Sequence, residues 1–149
     1  MATTPEGEPV MMGIFLVANH PSVILFDSGA SHTFISKTFV EKYCIDCNES
    51  REGFVIHSPG GQIFTKEVVF HVPVTLVGRE FPTNIIVIKG HDIDIILAMN
   101  WLSQNKAIIN ADQRTIKLSY GHEEVQLSIP IVVPVKASGH VFETIVQEI

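Results

Sequence analysis

Asp27, Ser28 and Gly29 stand together at the end of the apolar run Val23-Ile24-Leu25-Phe26. A carboxylate can take or give a proton. A glycine lets the backbone turn where a Cβ would obstruct it. Four apolar residues read as a buried strand. An acid closing such a run is costly to bury unless it is hydrogen-bonded or put to use. The Gly29 amide, and those that follow, could point at the Asp27 carboxylate. The same three residues also suit a strand that simply ends in an Asx turn. Asp-Ser-Gly alone leaves both readings open.

The flanking residues are more informative. The stretch Ile24-Leu25-Phe26-Asp27-Ser28-Gly29-Ala30-Ser31-His32-Thr33-Phe34-Ile35-Ser36 resembles the active-site loop of retropepsins, the aspartic proteases of retroviruses and LTR retrotransposons. It looks most like the gypsy-type retrotransposon proteases of plants. A second stretch, Ile95-Ile96-Leu97-Ala98-Met99-Asn100-Trp101-Leu102, resembles that family's two apolar residues, glycine, and short helix opening with Asp or Asn and an aromatic. The two motifs stand in the family's order, and the resemblance covers roughly residues 10–120. It implies an all-β, retropepsin-like acid protease fold: closed and barrel-like, with a flap hairpin and one or two short helices.

Peptide hydrolysis by carboxylates needs one as base and one as acid. Two carboxylates about 3 Å apart share a proton and titrate as a pair. Asp46, Asp92, Asp94 and Asp112 lack a following Ser/Thr-Gly, and Asp-Ser-Gly is not repeated. The resemblance therefore implies a homodimer in which Asp27 of each chain supplies one acid. It makes Asp27, Ser28 and Gly29 the catalytic set, with the Ser28 hydroxyl crossing the dimer axis and Gly29 and Ala30 shaping the loop. One position departs from the pattern. Ala98 stands where the family usually has glycine behind the loop, and overpacking a tight site costs roughly 1–3 kcal/mol.

The elements that must position this loop follow from the chain order. Residues 1–9 are polar, with Pro5, Gly7 and Pro9, and are expected to be loose. Residues 10–18 and 23–26 read as two strands around a turn at 19–22, and the second delivers Asp27. Residues 36–43 have helical spacing, with Ser36 as a candidate cap, and residues 44–52 read as a loop. The runs 54–56 and 63–64 flank His57-Ser58-Pro59-Gly60-Gly61-Gln62, a β-hairpin signature. An ordinary surface hairpin would look the same. The resemblance makes it the flap, with Ser58, Pro59, Gly60 and Gly61 meeting substrate together with Ala30. An extended peptide would then add a strand to it.

Further strands are expected at residues 68–76, where Pro73 suggests an edge, and at 81–88. A turn at 89–92 leads to the strand 94–97. A short helix at 99–105 should turn Trp101 and Leu102 to the core. Strands follow at 106–110 and 114–120. The domain is read as residues 10–120, with 121–149 a C-terminal extension that the core does not need. In that extension 125–127 could pair, 129–135 is broken by Pro130 and Pro134, and 141–149 could form a short helix.

Composition narrows the function. The chain has 149 residues, the length of one domain, and 46% are hydrophobic. Ile (19) and Val (17) outnumber Leu (7) and Ala (7), which favours strands. A net charge of −6 with no basic run argues against nucleic acid as a partner. No apolar stretch reaches membrane-span length, and the N-terminus lacks the basic and apolar regions of a secretory signal. A cytoplasmic protein is expected. Cys44 and Cys47 form a Cys-x-x-Cys pair, open to a redox role or half a zinc site. The pair follows a helical pattern rather than opening one, and the seven His are scattered, so structural cysteines fit better. Neither a metal nor another cofactor is expected.

Two functions remain in play. The first is an active endopeptidase of a retroelement polyprotein. The second is a retrotransposon-derived domain co-opted for binding or regulation with little or no proteolysis, which Ala98 favours and the intact Asp27-Ser28-Gly29 disfavours. An unrelated small β-barrel, such as a ligand carrier, is the third possibility.

Overall fold

The structure, a computed structural model, describes residues 10–58, 61–89, 93–133 and 145–148. Strand β1 (Val10–Val17) turns back into β2 (His20–Asp27). The two turn residues, Ala18 and Asn19, have φ of 49° and 66°, the left-handed pair that suits the twist of a two-residue hairpin. This turn is tighter than the expected 19–22, and His20, Pro21 and Ser22 belong to β2. There follow β3 (Phe34–Ser36), helix α1 (Lys37–Lys42), β4 (Asn48–Ser58), β5 (Gly61–Leu76) and β6 (Arg79–Ile88). Then come β7 (Ile95–Ala98), helix α2 (Met99–Gln104), β8 (Ile108–Asn110) and β9 (Thr115–Tyr120). The chain closes with β10 (Glu123–Ser128), β11 (Ile131–Val133) and β12 (Ile145–Glu148).

Six strands form a ring. β1 pairs with β2, β2 with β7, β7 with β3, β3 with β6 and β6 with β5. β5 returns to β1 through Leu16↔Thr75 and Val17↔Val74. Closure gives each of these strands a partner on both sides. β7 is the central piece, parallel to β2 on one side and antiparallel to β3 on the other. Buried on both faces, it is the continuous apolar run Ile95-Ile96-Leu97-Ala98.

Alternation along these strands divides the core in two. Ile24, Phe26, Ile35, Ile95 and Leu97 point into the larger cluster, with Trp101 and Leu102 of α2. Leu25, Phe34, Ile96 and Ala98 point into the smaller one, with Ala30 and Ile56. By the same two-residue period, Asp27 falls on the face of Leu25, toward the smaller cluster. Trp101 and Leu102 are each 3% exposed, as expected of the short helix. Trp101 Nε1 donates to Thr83 Oγ1 at 3.0 Å, which satisfies its one polar atom.

Several expectations give way. Residues 48–52 are part of strand β4, not loop. They are polar because this strand base is solvent-facing, and a register shift between Glu49 and Phe54 breaks the alternation that would have marked it. Pro73 is not on an edge. It lies opposite Pro82 of β6, where neither ring nitrogen needs to donate, and its carbonyl accepts the Ala18 N–H at 2.9 Å. The C-terminal residues are not separate from the core in packing. β10 pairs along β9, β11 pairs with β1, and Val125, Leu127 and Ile129 lie in the larger cluster. Residues 145–148, expected as helix, form a strand paired with β4. The expected flap-tip residues Pro59 and Gly60, and residues 90–92 of the expected turn, lie outside the described residues. Among the described residues, no helix is long and apolar enough to cross a membrane.

Candidate active site

Asp27 is the last residue of β2 and is 2% exposed. It sits in parallel register with Ala98, the last residue of β7. The chain turns immediately after it. The Gly29 N–H donates to Asp27 Oδ1 at 2.9 Å, and the Ala30 N–H to the Asp27 carbonyl at 3.2 Å. A carboxylate removed from water is thus held by a backbone dipole, which fixes its orientation and offsets part of its burial. Ser28 is half-buried and Gly29 exposed, beside a buried Ala30. Asp27, Ser28, Gly29 and Ala30 are therefore gathered in one tight loop, as the sequence suggested.

The loop is also tied to the second motif. The Met99 N–H, at the start of α2, donates to the Ala30 carbonyl at 2.9 Å. Thr33, 2% exposed, donates through Oγ1 to Asn100 Oδ1 at 2.8 Å and accepts the Ala98 N–H at 3.2 Å. Asn100 Oδ1 also accepts the Trp101 N–H at 2.8 Å, so it caps the first turn of α2 from within. One hydroxyl and one amide oxygen thus lock both motifs together. Asp94 adds a further tie, its Oδ2 accepting the Val23 N–H on the strand that carries Asp27. Sequence reasoning missed Thr33 and Asp94 as positioning groups. Their partners are 67 and 71 residues away, and no local spacing signals such a bond. Ala98 has no exposed surface and lies in the smaller cluster with Ala30.

The hairpin β4–β5 contributes Ile56 and Val68 to the cluster that holds Ala30 and Ala98. Its last described pair is Ser58↔Gly61, with Gly61 exposed at φ 124°, a conformation that glycine alone adopts readily. Ile56 is fully buried in the cluster that holds Ala30 and Ala98. Next to the loop runs a groove of about 220 Å³. His32, Thr33 and Asn100 line it together with Phe54, Val68 and Ile86. A mostly apolar lining with a few polar groups suits a peptide side chain.

The cysteines stand apart from this arrangement. Cys44 is exposed and Cys47 half-buried, both free. Burial pushes the Cys47 thiol up, and the Glu67 charge adds to the shift while Lys37 opposes it. A raised thiol is a poor nucleophile. Among the described residues, no group of three or more His, Cys, Asp or Glu could hold a metal ion.

Comparison with known proteins agrees with this fold. The model of the retroviral aspartyl protease family matches residues 1–124. Among solved structures, the retroviral protease-like domain of Ddi1 from Leishmania major superposes with a TM-score of 0.59 at 16% identity. That alignment covers 85% of this chain and 96% of the other. EIAV protease complexed with the inhibitor HBY-793 superposes with a TM-score of 0.50 at 20% identity, over 74% of this chain and 99% of the other. At such identities the likeness shows the fold, which is retropepsin-like and mostly β. No curated protein sequence matches the chain.

Proposed function

We propose, from the premise that the chain belongs to the retroviral aspartyl protease family, that it acts as a homodimeric aspartic endopeptidase. Asp27 carries the reading. It is a buried acid at a strand end, oriented by the Gly29 amide in a loop that β7 and α2 hold from behind. In this reading two copies bring their Asp27 side chains together at a two-fold axis. One carboxylate, ionised, takes a proton from water as it attacks the scissile carbonyl carbon. The other, protonated, gives its proton to the carbonyl oxygen. Ser28 ties the two loops across the axis. The substrate is an extended peptide, of retroelement polyprotein type, lying between the loops and the flaps. Ala30 and the flap residues Ser58, Pro59, Gly60 and Gly61 meet its backbone, and the groove beside His32 takes a side chain. The work is done in the cytoplasm, without a cofactor.

The test is a dilution and mixing experiment. Specific activity on a peptide library should rise with protein concentration until the dimer saturates. Asp27→Asn should lower cleavage by at least ~10²–10⁴-fold, the usual scale of acid–base catalysis, while the dimer persists. Excess Asp27→Asn mixed into wild type should suppress activity through heterodimers. Cleavage that is independent of concentration, by a species sedimenting as a monomer, would sink the reading. A second reading rests on Ala98, a buried methyl where the resemblance has glycine: a co-opted module that binds peptide without cutting it. It predicts peptide binding without hydrolysis in wild type, and no inhibition target for a statine-type mimic.

A further inference from the structure

The hairpin β4–β5 is paired on both outer edges, by β6 along residues 68–76 of β5 and by β12 along residues 54–57 of β4. β5 continues the sheet into β6, but beyond β4 the sheet has only β12. The register is antiparallel: Ile145↔His57, Val146↔Ile56, Gln147↔Val55 and Glu148↔Phe54. Without β12, the outer edge of β4 would present unpaired N–H and C=O groups, the template on which an extended peptide adds as a strand. This stretch of β4 is also the part nearest in packing to the catalytic loop, because Ile56 lies in one buried cluster with Ala30 and Ala98.

We infer that residues 145–148 are an internal ligand of the flap edge: this strand occupies in cis residues 54–57 of β4, directly before the flap residues proposed to meet substrate, and competes with an extended peptide that would add to the same edge. The inference rests on the flap reading above and adds its regulation. Three observations carry it. The strand is paired with the flap rather than with the ring. It runs antiparallel over the four residues that precede the hairpin end. It also follows β11 (Ile131–Val133), which is anchored to β1, by eleven residues, 134–144. At 3.3–3.6 Å per residue such a connection spans up to about 40 Å, ample for one chain to reach its own flap. A tethered strand acts at an effective concentration in the millimolar range. Free peptide must therefore exceed or displace it.

The experiment compares three proteins: the full chain, the chain ending at residue 144, and the full chain with Val146→Pro. Proline lacks the N–H and disrupts pairing of β12 without touching β4 or the catalytic loop. Hydrogen exchange is read at the amides of residues 54–57, and KM and kcat are read on one extended peptide. In the full chain, the amides of β4 that face β12 should be protected. Both altered chains should lose that protection, and the free peptide Val-Phe-Glu-Thr-Ile-Val-Gln-Glu-Ile, residues 141–149, should restore it. KM should fall, with kcat unchanged, by about the ratio of the millimolar effective concentration to the Ki that the free 141–149 peptide shows on the shortened chain. Altered exchange with no cleavage by any form would end the protease reading and leave the internal ligand standing. Normal cleavage with unchanged exchange and unchanged KM would overturn the inference and leave the protease reading standing. Protection that appears only as protein concentration rises would place β12 on a second copy, and would overturn the assignment in cis.

Discussion

The Asp27 loop and the β4–β5 hairpin, the catalytic loop and the flap of the proposed function, are built by opposite rules. The loop is short, buried and fastened from behind. Asp27, Ala30 and Thr33 are 2%, 1% and 2% exposed, and four hydrogen bonds tie residues 30–33 to 98–101 or to β6. The flap is long and peripheral. Phe64 is 59% exposed, the strand pair slips register between Glu49 and Phe54, and only Ile56 is fully buried at its described end. An acid must be held in one geometry, and a low-mobility backbone with packed support does that. A recognition hairpin must let peptide in and out, so it belongs at the low-stability end of the molecule. Long-range side-chain bonds from Thr33 and Asn100 fasten the first.

The strongest test of that contrast lies far from both regions. Leu127 of β10 is 1% exposed and packs in the larger cluster with Phe26, Trp101 and Leu102, the layer behind the loop. Leu127→Ala should cost about 2–5 kcal/mol, the range for emptying a packed aliphatic site. Denaturant unfolding measures it. Exchange of the loop amides, which open only with global unfolding, should accelerate by a matching factor. Exchange of the flap amides, which open locally, should hardly change. Equal acceleration in both would mean the flap is not an independent unit. A loss well under 1 kcal/mol would mean that residues beyond 120 are dispensable after all.

A smaller effect is expected at the tie itself. Thr33→Val keeps the shape and removes the hydroxyl. The Ala98 N–H then loses its acceptor, and Asn100 Oδ1 keeps only the Trp101 N–H. A buried group left unsatisfied costs roughly 1–3 kcal/mol. Because the tie orients the loop, kcat on a peptide should fall while KM stays near its wild-type value. Thr33→Ser, which retains the hydroxyl, should recover kcat. A Thr33→Val protein with normal kcat would show that backbone bonds alone hold the loop.

Much of this contrast was legible in the amino acids, and the unread parts share a physical cause. The apolar runs before Asp27 and Ala98, the turn glycine and the buried pair Trp101 and Leu102 are local signals, and they predicted β2, β7 and α2. The β-branched excess favoured strands, and the resemblance of the two motifs implied the retropepsin-like fold. What escaped depends on partners distant in sequence. Thr33 carries no mark of its bond to Asn100. Asn48, Glu49 and Ser50 look like loop because a strand base with a register shift has no clean alternation. Pro73 suggested an edge, but an opposing Pro82 removes the conflict inside a sheet. Residues 145–148 have apolar spacing that fits helix or strand equally, and the open edge of β4 decided between them.

The smallest expected effect sharpens the loop side most finely. Ala98 is fully buried, in register with Asp27, and its backbone, with φ −96° and ψ −174°, is one that alanine adopts without strain. Ala98→Gly removes one methyl from the smaller cluster, worth about 0.8 kcal/mol of burial. Glycine also costs roughly 0.5–1 kcal/mol of backbone entropy. Against these, Ala98 is the residue that caps α2, a position where glycine ranks above alanine, and any crowding of the loop by the methyl is relieved. The terms nearly cancel, so the unfolding midpoint should move by no more than about 1 kcal/mol and the fold should persist. Activity should respond more than stability does. In the proposed dimer, loss of the methyl lets the Asp27 loop and its copy approach more closely, and kcat/KM or dimer affinity should rise. Wild type and Ala98→Gly are compared on one peptide at several protein concentrations. Equal activity throughout would mean that the loop already accommodates Ala98, and that the cluster behind Asp27 is packed for alanine rather than strained by it.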